Sequence, residues 1–124
     1  MPNVVVAGGI VQCSHMGAIK LQAGDTRLSV NGAGAITFGQ EAGLSFAPGA
    51  PGLLAPCPET NPSTGNPSPC AQTLPATNGV STLLAIAGAG VLLETAQGLA
   101  INPSDPSASW SIAYAGQTLL SAEQ

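Results

Sequence analysis

Three cysteines and a single histidine are the residues in this chain whose types and spacing offer chemistry. Cys13 and His15 sit two apart near the start. Cys57 and Cys70 bracket the stretch Pro58-Glu59-Thr60-Asn61-Pro62-Ser63-Thr64-Gly65-Asn66-Pro67-Ser68-Pro69. Thiolate sulfur and imidazole nitrogen together make the donor set for one tetrahedral ion, zinc before iron. On extended backbone Cys13 and His15 face the same way, which is a chelating spacing. The proline-stiffened loop of 12 residues between Cys57 and Cys70 suits a clamp, because proline reduces the freedom lost on folding. A closed set of Cys13, His15, Cys57 and Cys70 leaves no open coordination position. Its role is then structural, and its binding energy is folding energy. Two other readings stay open: a Cys57–Cys70 disulfide with Cys13 free, and three unrelated buried thiols.

Catalytic constellations are poorly supported, and the chain does not read as an enzyme. A Cys13–His15 nucleophile pair lacks a third orienting group, and two positions along a strand hold the Cα atoms about 7 Å apart. The acidic residues Asp25, Glu41, Glu59, Glu94, Asp105 and Glu123 are scattered and read mostly as solvated surface charges. Neither Gly8-Gly9 nor Gly88-Ala89-Gly90 carries the lysine and hydroxyl of a phosphate-binding loop.

Composition narrows the partners. The chain has 124 residues, two basic and six acidic, with a net charge of -4. Lys20 and Arg27 are the basic residues, and no positive side chain follows position 27. Nucleic-acid binding needs clustered Lys and Arg, and so does binding to anionic membrane surfaces; neither is expected here. So few charges on a soluble surface suggest polar neutral side chains, a face covered by a partner, or a mixture of both. No secretory signal is evident, which points to synthesis in the cytoplasm and to thiols kept reduced. The apolar run from Leu83 to Leu93 is shorter than the ~20 residues of a membrane helix, so no stable membrane insertion is expected. Aromatic residues are few, with 16 glycines and 11 prolines, so one thin core in one domain over 1–124 gains from an extra staple.

The elements that must position the four donors read as short strands. Residues 3–13 form strand broken at Gly8-Gly9. Residues 18–38 form an antiparallel meander: a strand at 18–21, and after Ala23-Gly24-Asp25 a second at 26–30. Asn31-Gly32 makes the hairpin turn, and Ala35-Ile36-Thr37-Phe38 returns with Ile36 and Phe38 on one face. Eight prolines crowd 48–75, from Pro48 to Pro75, and exclude helix and central strand, leaving a rigid loop. C-terminal β segments occupy 80–120. Asn78-Gly79 is a turn, and strands at 80–86 and 91–95 flank Gly88-Ala89-Gly90. One amphipathic helix from Thr82 to Gly98 is the alternative, disfavoured by its glycines. A short strand at Ala100-Ile101 precedes a turn at Pro103–Pro106. Ser109–Tyr114 alternates with Trp110, Ile112 and Tyr114 on one face, and Thr118-Leu119-Leu120 pairs with it.

The start Val5-Val6-Ala7-Gly8-Gly9-Ile10-Val11-Gln12-Cys13-Ser14-His15-Met16-Gly17, the β-meander, Cys57 with Asn61-Pro62, and Pro69-Cys70 resemble the PAAR-like spike-tip proteins. These cap the central spike of contractile injection systems, including type VI secretion and phage-tail-like particles. The resemblance covers about residues 3 to 100. It implies an all-β, small conical fold of short antiparallel strands and Gly/Pro-rich loops. The fold's base would sit on a homotrimeric β-helical spike protein, one tip chain per trimer, with a metal near the pointed end. Effector cargo is a further partner it allows. It also implies assembly at the particle tip and delivery outside the cell or into a target. The family mainly uses histidines with one cysteine; here three cysteines and one histidine point to zinc, then iron. A cap on a trimer must be one chain with three comparable faces, able to end a symmetric stack. The stretch 83–93 and the Trp110 strand are the candidates for its base. The other reading is a free-standing zinc-stabilised protein-binding adaptor.

Overall fold

A computed structural model describes residues 2–22, 24–47, 49–86, 88–103 and 105–122. Ala23, Pro48, Ser104 in the 103–106 turn, and Glu123 lie outside the described residues. Among the described residues every regular element is a strand: β1 (Ile10–Cys13), β2 (Ala18–Lys20), β3 (Asp25–Val30), β4 (Ala33–Ala35), β5 (Leu53–Ala55), β6 (Gln72–Ile86), β7 (Ala89–Ile101) and β8 (Ser109–Tyr114). No helix among them is long and apolar enough to cross a membrane. The strands form open sheets: a six-stranded one in the order β5-β2-β1-β8-β7-β6, and the hairpin β3-β4. The meander expected over 18–38 is therefore split. β2 pairs with β1 and β5, while β3 pairs only with β4. Gly24 and Gly34 make the latter approach possible, since a Cβ on Gly24 would lie 2.1 Å from the Gly34 carbonyl oxygen.

Proline position explains two further corrections. The stretch 48–75 is not strand-free: it contains β5 and the start of β6, including Pro75. Both are edge strands, where a missing N–H costs no ladder bond on the solvent side. Asn78-Gly79 is a bulge inside β6 rather than a turn. Gly79 has φ +76°, and a Cβ there would lie 2.2 Å from Ala96 Cα, so the neighbouring strand leaves room for glycine alone. Two strands meet after residue 86 with Ile86 paired to Ala89, but Ala89 and Gly90, expected in the turn, already belong to β7, which runs on to Ile101. Thr118-Leu119-Leu120 does not pair with β8, whose neighbours are β1 and β7; Leu120 instead accepts a backbone bond from Val4. On β8, Trp110 is buried but Tyr114 is 49% exposed, because the register slips between Ile10 and Val11 on the facing strand.

The N-terminal Asn3–Val6 stretch makes isolated bridges rather than a long strand, and those bridges form a ring. Val5 N–H donates to Leu92 O, Leu92 N–H to Ile36 O, and Ile36 N–H to Val5 O, at 2.8–2.9 Å. A second cycle repeats it: Ala7 donates to Gly34, Phe38 to Gly90 and Glu94 to Asn3. Bridges Val4↔Leu93, Val6↔Ala35 and Thr37↔Val91 obey the same rule. Segments 4–6, 35–37 and 91–93 are thus equivalent, each pairing its first residue with one neighbour and its last with the other. The expected return strand at 35–38 overlaps β4 only at Ala35, which pairs with Asp25; from there it continues as one arm of this ring, and Phe38 emerges exposed beyond it.

Side chains alternate across the ring. Val5, Ile36 and Leu92 enter a core shared with Cys13, Cys57, Cys70, Phe46 and Trp110. Val4, Ala35, Val91 and Leu93 enter a separate cluster, edged by half-buried Leu28, Leu84 and Leu120.

Candidate metal centre

Four segments deliver the site. Cys13 ends β1, and the turn after it carries His15 back over the thiol; Met16 takes φ +74° there, and Gly17 packs so closely that a Cβ would lie 3.0 Å from Cys13 Sγ. Cys57 and Cys70 are the two ends of the proline-rich loop. Its far end closes as a tight turn, in which Asn61 and Asn66 pair through their backbones and the Asn61 side chain accepts from Ser63 N–H. The fourth segment, the turn after β7, contributes Asn102 and Asp105.

The structure brings together every sequence-predicted donor. One donor atom each from Cys13, His15, Cys57 and Cys70 lies within 4.8 Å of all the others, with the cysteines buried and His15 half-buried. His15 Nδ1 is 3.6 Å from Cys57 Sγ and 3.5 Å from Cys70 Sγ, and the two sulfurs are 3.9 Å apart. Zinc bonds of about 2.3 Å to sulfur and 2.0 Å to nitrogen, at tetrahedral angles, set edges of about 3.8 Å and 3.5 Å. The donor set and its spacing fit such an ion. All three cysteines are free, with no disulfide between Cys57 and Cys70, and all three converge on His15.

N–H donors are aimed at two of the sulfurs. Gly17 N–H donates to Cys13 Sγ at 3.1 Å, and Asn102 Nδ2 to Cys70 Sγ at 3.5 Å while also holding the Ser68 carbonyl. Burial pushes the Cys57 thiol up, but backbone N–H donors from Glu59 and Cys70 outweigh it and bring its pKa below the ordinary 9.0. Burial raises Cys13 above that value despite its own N–H donors. Burial also lifts Cys70 to about 12, helped by the neighbouring thiols against the Asn102 bond. Three thiols sharing one pocket cannot all ionise without a cation among them.

Sequence reasoning missed the carboxylates. Glu59 and Asp105, read as scattered surface charges, converge on the outer nitrogen of His15: Nε2 is 2.9 Å from Glu59 Oε2 and 2.7 Å from Asp105 Oδ2. Glu59 lies two residues after Cys57, a proximity that could have flagged it; nothing in the sequence links Asp105 to a histidine 90 positions away. Glu41 is also no surface charge, being fully buried with both carboxylate oxygens accepting backbone N–H groups.

No family model matches the chain, and no curated protein or solved structure is significantly similar to it. Its class rests on its own geometry: a small β-domain with a Cys/His cluster able to chelate a metal ion.

Proposed function

We propose that the chain is a structural tip that caps and sharpens the trimeric central spike of a contractile injection machine and aids membrane puncture, with a structural zinc ion held by Cys13, His15, Cys57 and Cys70. The PAAR-like resemblance suggests the role. The observation that carries it is the hydrogen-bond ring, in which three different segments of one chain take equivalent places. A single chain that ends a homotrimeric stack has to offer three like faces to three like strands, and this ring has that symmetry.

The two faces of the ring divide the labour. The cysteines belong to the core on one side. On the other side Leu28, Leu84 and Leu120, one from each of three different segments, edge an apolar cluster, with Leu83 and Leu119 exposed at 74% each. We assign that leucine-edged side to the spike and the metal side to the point. Leu83–Leu93 contributes to the base in this assignment, but Trp110 does not, since it is buried in the core with the cysteines. The tip performs no catalytic step. It is made in the cytoplasm and leaves with the particle.

Native mass spectrometry of the full chain mixed with a homotrimeric β-helical spike protein tests this reading. One chain per trimer is expected, lost in a Leu83→Asp/Leu119→Asp variant that keeps its metal. Three chains per trimer, or none, would sink the proposal. A 1:1 complex with an asymmetric partner would favour the adaptor reading, which the same metal-clamped β-domain also supports.

A further inference from the structure

His15 supplies the only nitrogen among the four donors, and its two ring nitrogens face different surroundings. Nδ1 faces the sulfurs of Cys57 and Cys70. Nε2 faces two carboxylates, Asp105 at 2.7 Å and Glu59 at 2.9 Å. An imidazole that ligates through Nδ1 keeps its proton on Nε2, and that proton needs an acceptor.

Distance decides between a hydrogen bond and a second ion. A cation bound at about 2.1 Å to both nitrogen and oxygen would hold them about 3.4 Å apart in tetrahedral geometry. The right angle of octahedral geometry still needs about 3.0 Å. Both observed separations are shorter, and both suit a charge-assisted N–H···O bond.

We propose that Asp105 and Glu59 are positioning residues for the metal centre: together they hold the Nε2 proton of His15, fix the ring's orientation and present Nδ1 as the lone-pair donor to the ion. The inference rests on the metal-centre reading above. Asp105 is the principal partner. Its other oxygen, Oδ1, is held by Ser107 N–H at 2.8 Å, which leaves Oδ2 aimed at the ring. Each carboxylate is also coupled by sequence to a thiol. Glu59 follows Cys57 by two residues. Asp105 follows Asn102, whose amide touches Cys70. The segments that carry the acceptors for the histidine proton therefore also carry one of the thiols, Cys57, and the donor to another, Cys70. Ordering one orders the other.

The test uses full-length chain and zinc alone, with affinity read by competition against a chromophoric chelator and the His15 tautomer read by nitrogen NMR. The Asp105→Ala/Glu59→Ala double variant should bind zinc about 10- to 100-fold more weakly and lose the pure Nε2–H tautomer. Asp105→Asn, which keeps an acceptor oxygen, should restore most of the affinity. In a His15→Cys background the same double substitution should have little effect, because no imidazole remains to position; this arm separates positioning from a general loss of negative charge or of folding. Wild-type protein that holds zinc while the double variant matches it in affinity and tautomer overturns the inference alone. Two ions per wild-type chain, one lost in the double variant, overturns it in favour of a second site. Wild-type protein that holds no zinc overturns the metal-centre reading itself.

Discussion

His15 Nδ1 and Cys70 Sγ, 55 residues apart in sequence, stand 3.5 Å from each other, which ties the turn after β1 to the end of the proline-rich loop through side chains alone. Without an ion this contact brings a nitrogen and three buried sulfurs together with little to hold them. With one, binding free energy on the order of 10 kcal/mol becomes folding free energy. Stripping the metal with a strong chelator should lower the melting temperature sharply and expose the loop to protease. All three thiols should be protected in the loaded protein and react after chelation. A thiol count of three in both states, with no change in melting, is the contrary result.

The surroundings of His15 give a dependence on pH whose sign reverses with loading. Burial works against the charged imidazole of His15, but the Asp105 hydrogen bond, the Cys57 thiol and the Glu59 carboxylate outweigh it and raise its pKa above 6.5. A raised histidine contributes stability that is fully present below 6.5 and is lost as pH rises through the folded value. Metal-free protein should therefore weaken on going from pH 6 to pH 8. In the loaded protein the ion takes the place of the Nδ1 proton and of thiol protons, so its affinity rises with pH. Loaded protein should strengthen over the same interval. Denaturant midpoints at the two pH values, with and without zinc, check both slopes.

Trp110 lies over Gly98 and donates its indole N–H to the Leu74 carbonyl at 2.8 Å, so one side chain on β8 crosses β7 to reach β6. A Cβ on Gly98 would sit 2.6 Å from the indole nitrogen. Gly98→Ala should push the ring off its acceptor and cost about 1–3 kcal/mol, as overpacking does. The loss should appear as a shifted denaturant midpoint with a red-shifted tryptophan emission. Metal stoichiometry should stay unchanged, because Gly98 touches no donor.

The local parts of this fold are legible in the sequence and the long-range parts are not. Val11 and Cys13 alternate with Ile10 and Gln12, and the burial of β1 follows that alternation. Asn31-Gly32 makes its hairpin because both residues take positive φ, as that turn requires. The four donors could be gathered by chemistry, since few residue types suit a soft ion. The ring could not be read, because its segments pair across up to about ninety residues and share no sequence beyond being β-prone and mostly apolar. The strands around proline were missed for a different reason. Proline forbids a central ladder position, and only the sheet order tells that β5 and β6 lie at the edges. The carboxylates were missed because an acid paired with a histidine looks, in sequence, like any surface acid.

Glu41 is another acid that looks in sequence like a surface charge, and it makes a prediction of its own. Its side chain is fully buried, and among the described residues its carboxylate partners are backbone N–H groups rather than a cation. Oε2 accepts from Gly39 N–H at 2.7 Å, closing its own turn, and Oε1 accepts from Ala76 N–H at 2.9 Å on β6. Ala76 follows Pro75, and the ladder to β7 slips on both sides of it, so regular pairing is broken at this point. The carboxylate supplies an acceptor there. Glu41→Gln keeps the shape but turns one acceptor into a donor facing an N–H. One buried backbone N–H is then left unsatisfied, at about 1–3 kcal/mol. Glu41→Ala strands both and leaves a cavity, so it should cost more. Hydrogen exchange at Gly39 and Ala76 reads the mechanism directly. Both amides should be slow in the wild type, one should quicken in Glu41→Gln and both in Glu41→Ala. Loss of stability with those two amides still protected would place the effect elsewhere in the core.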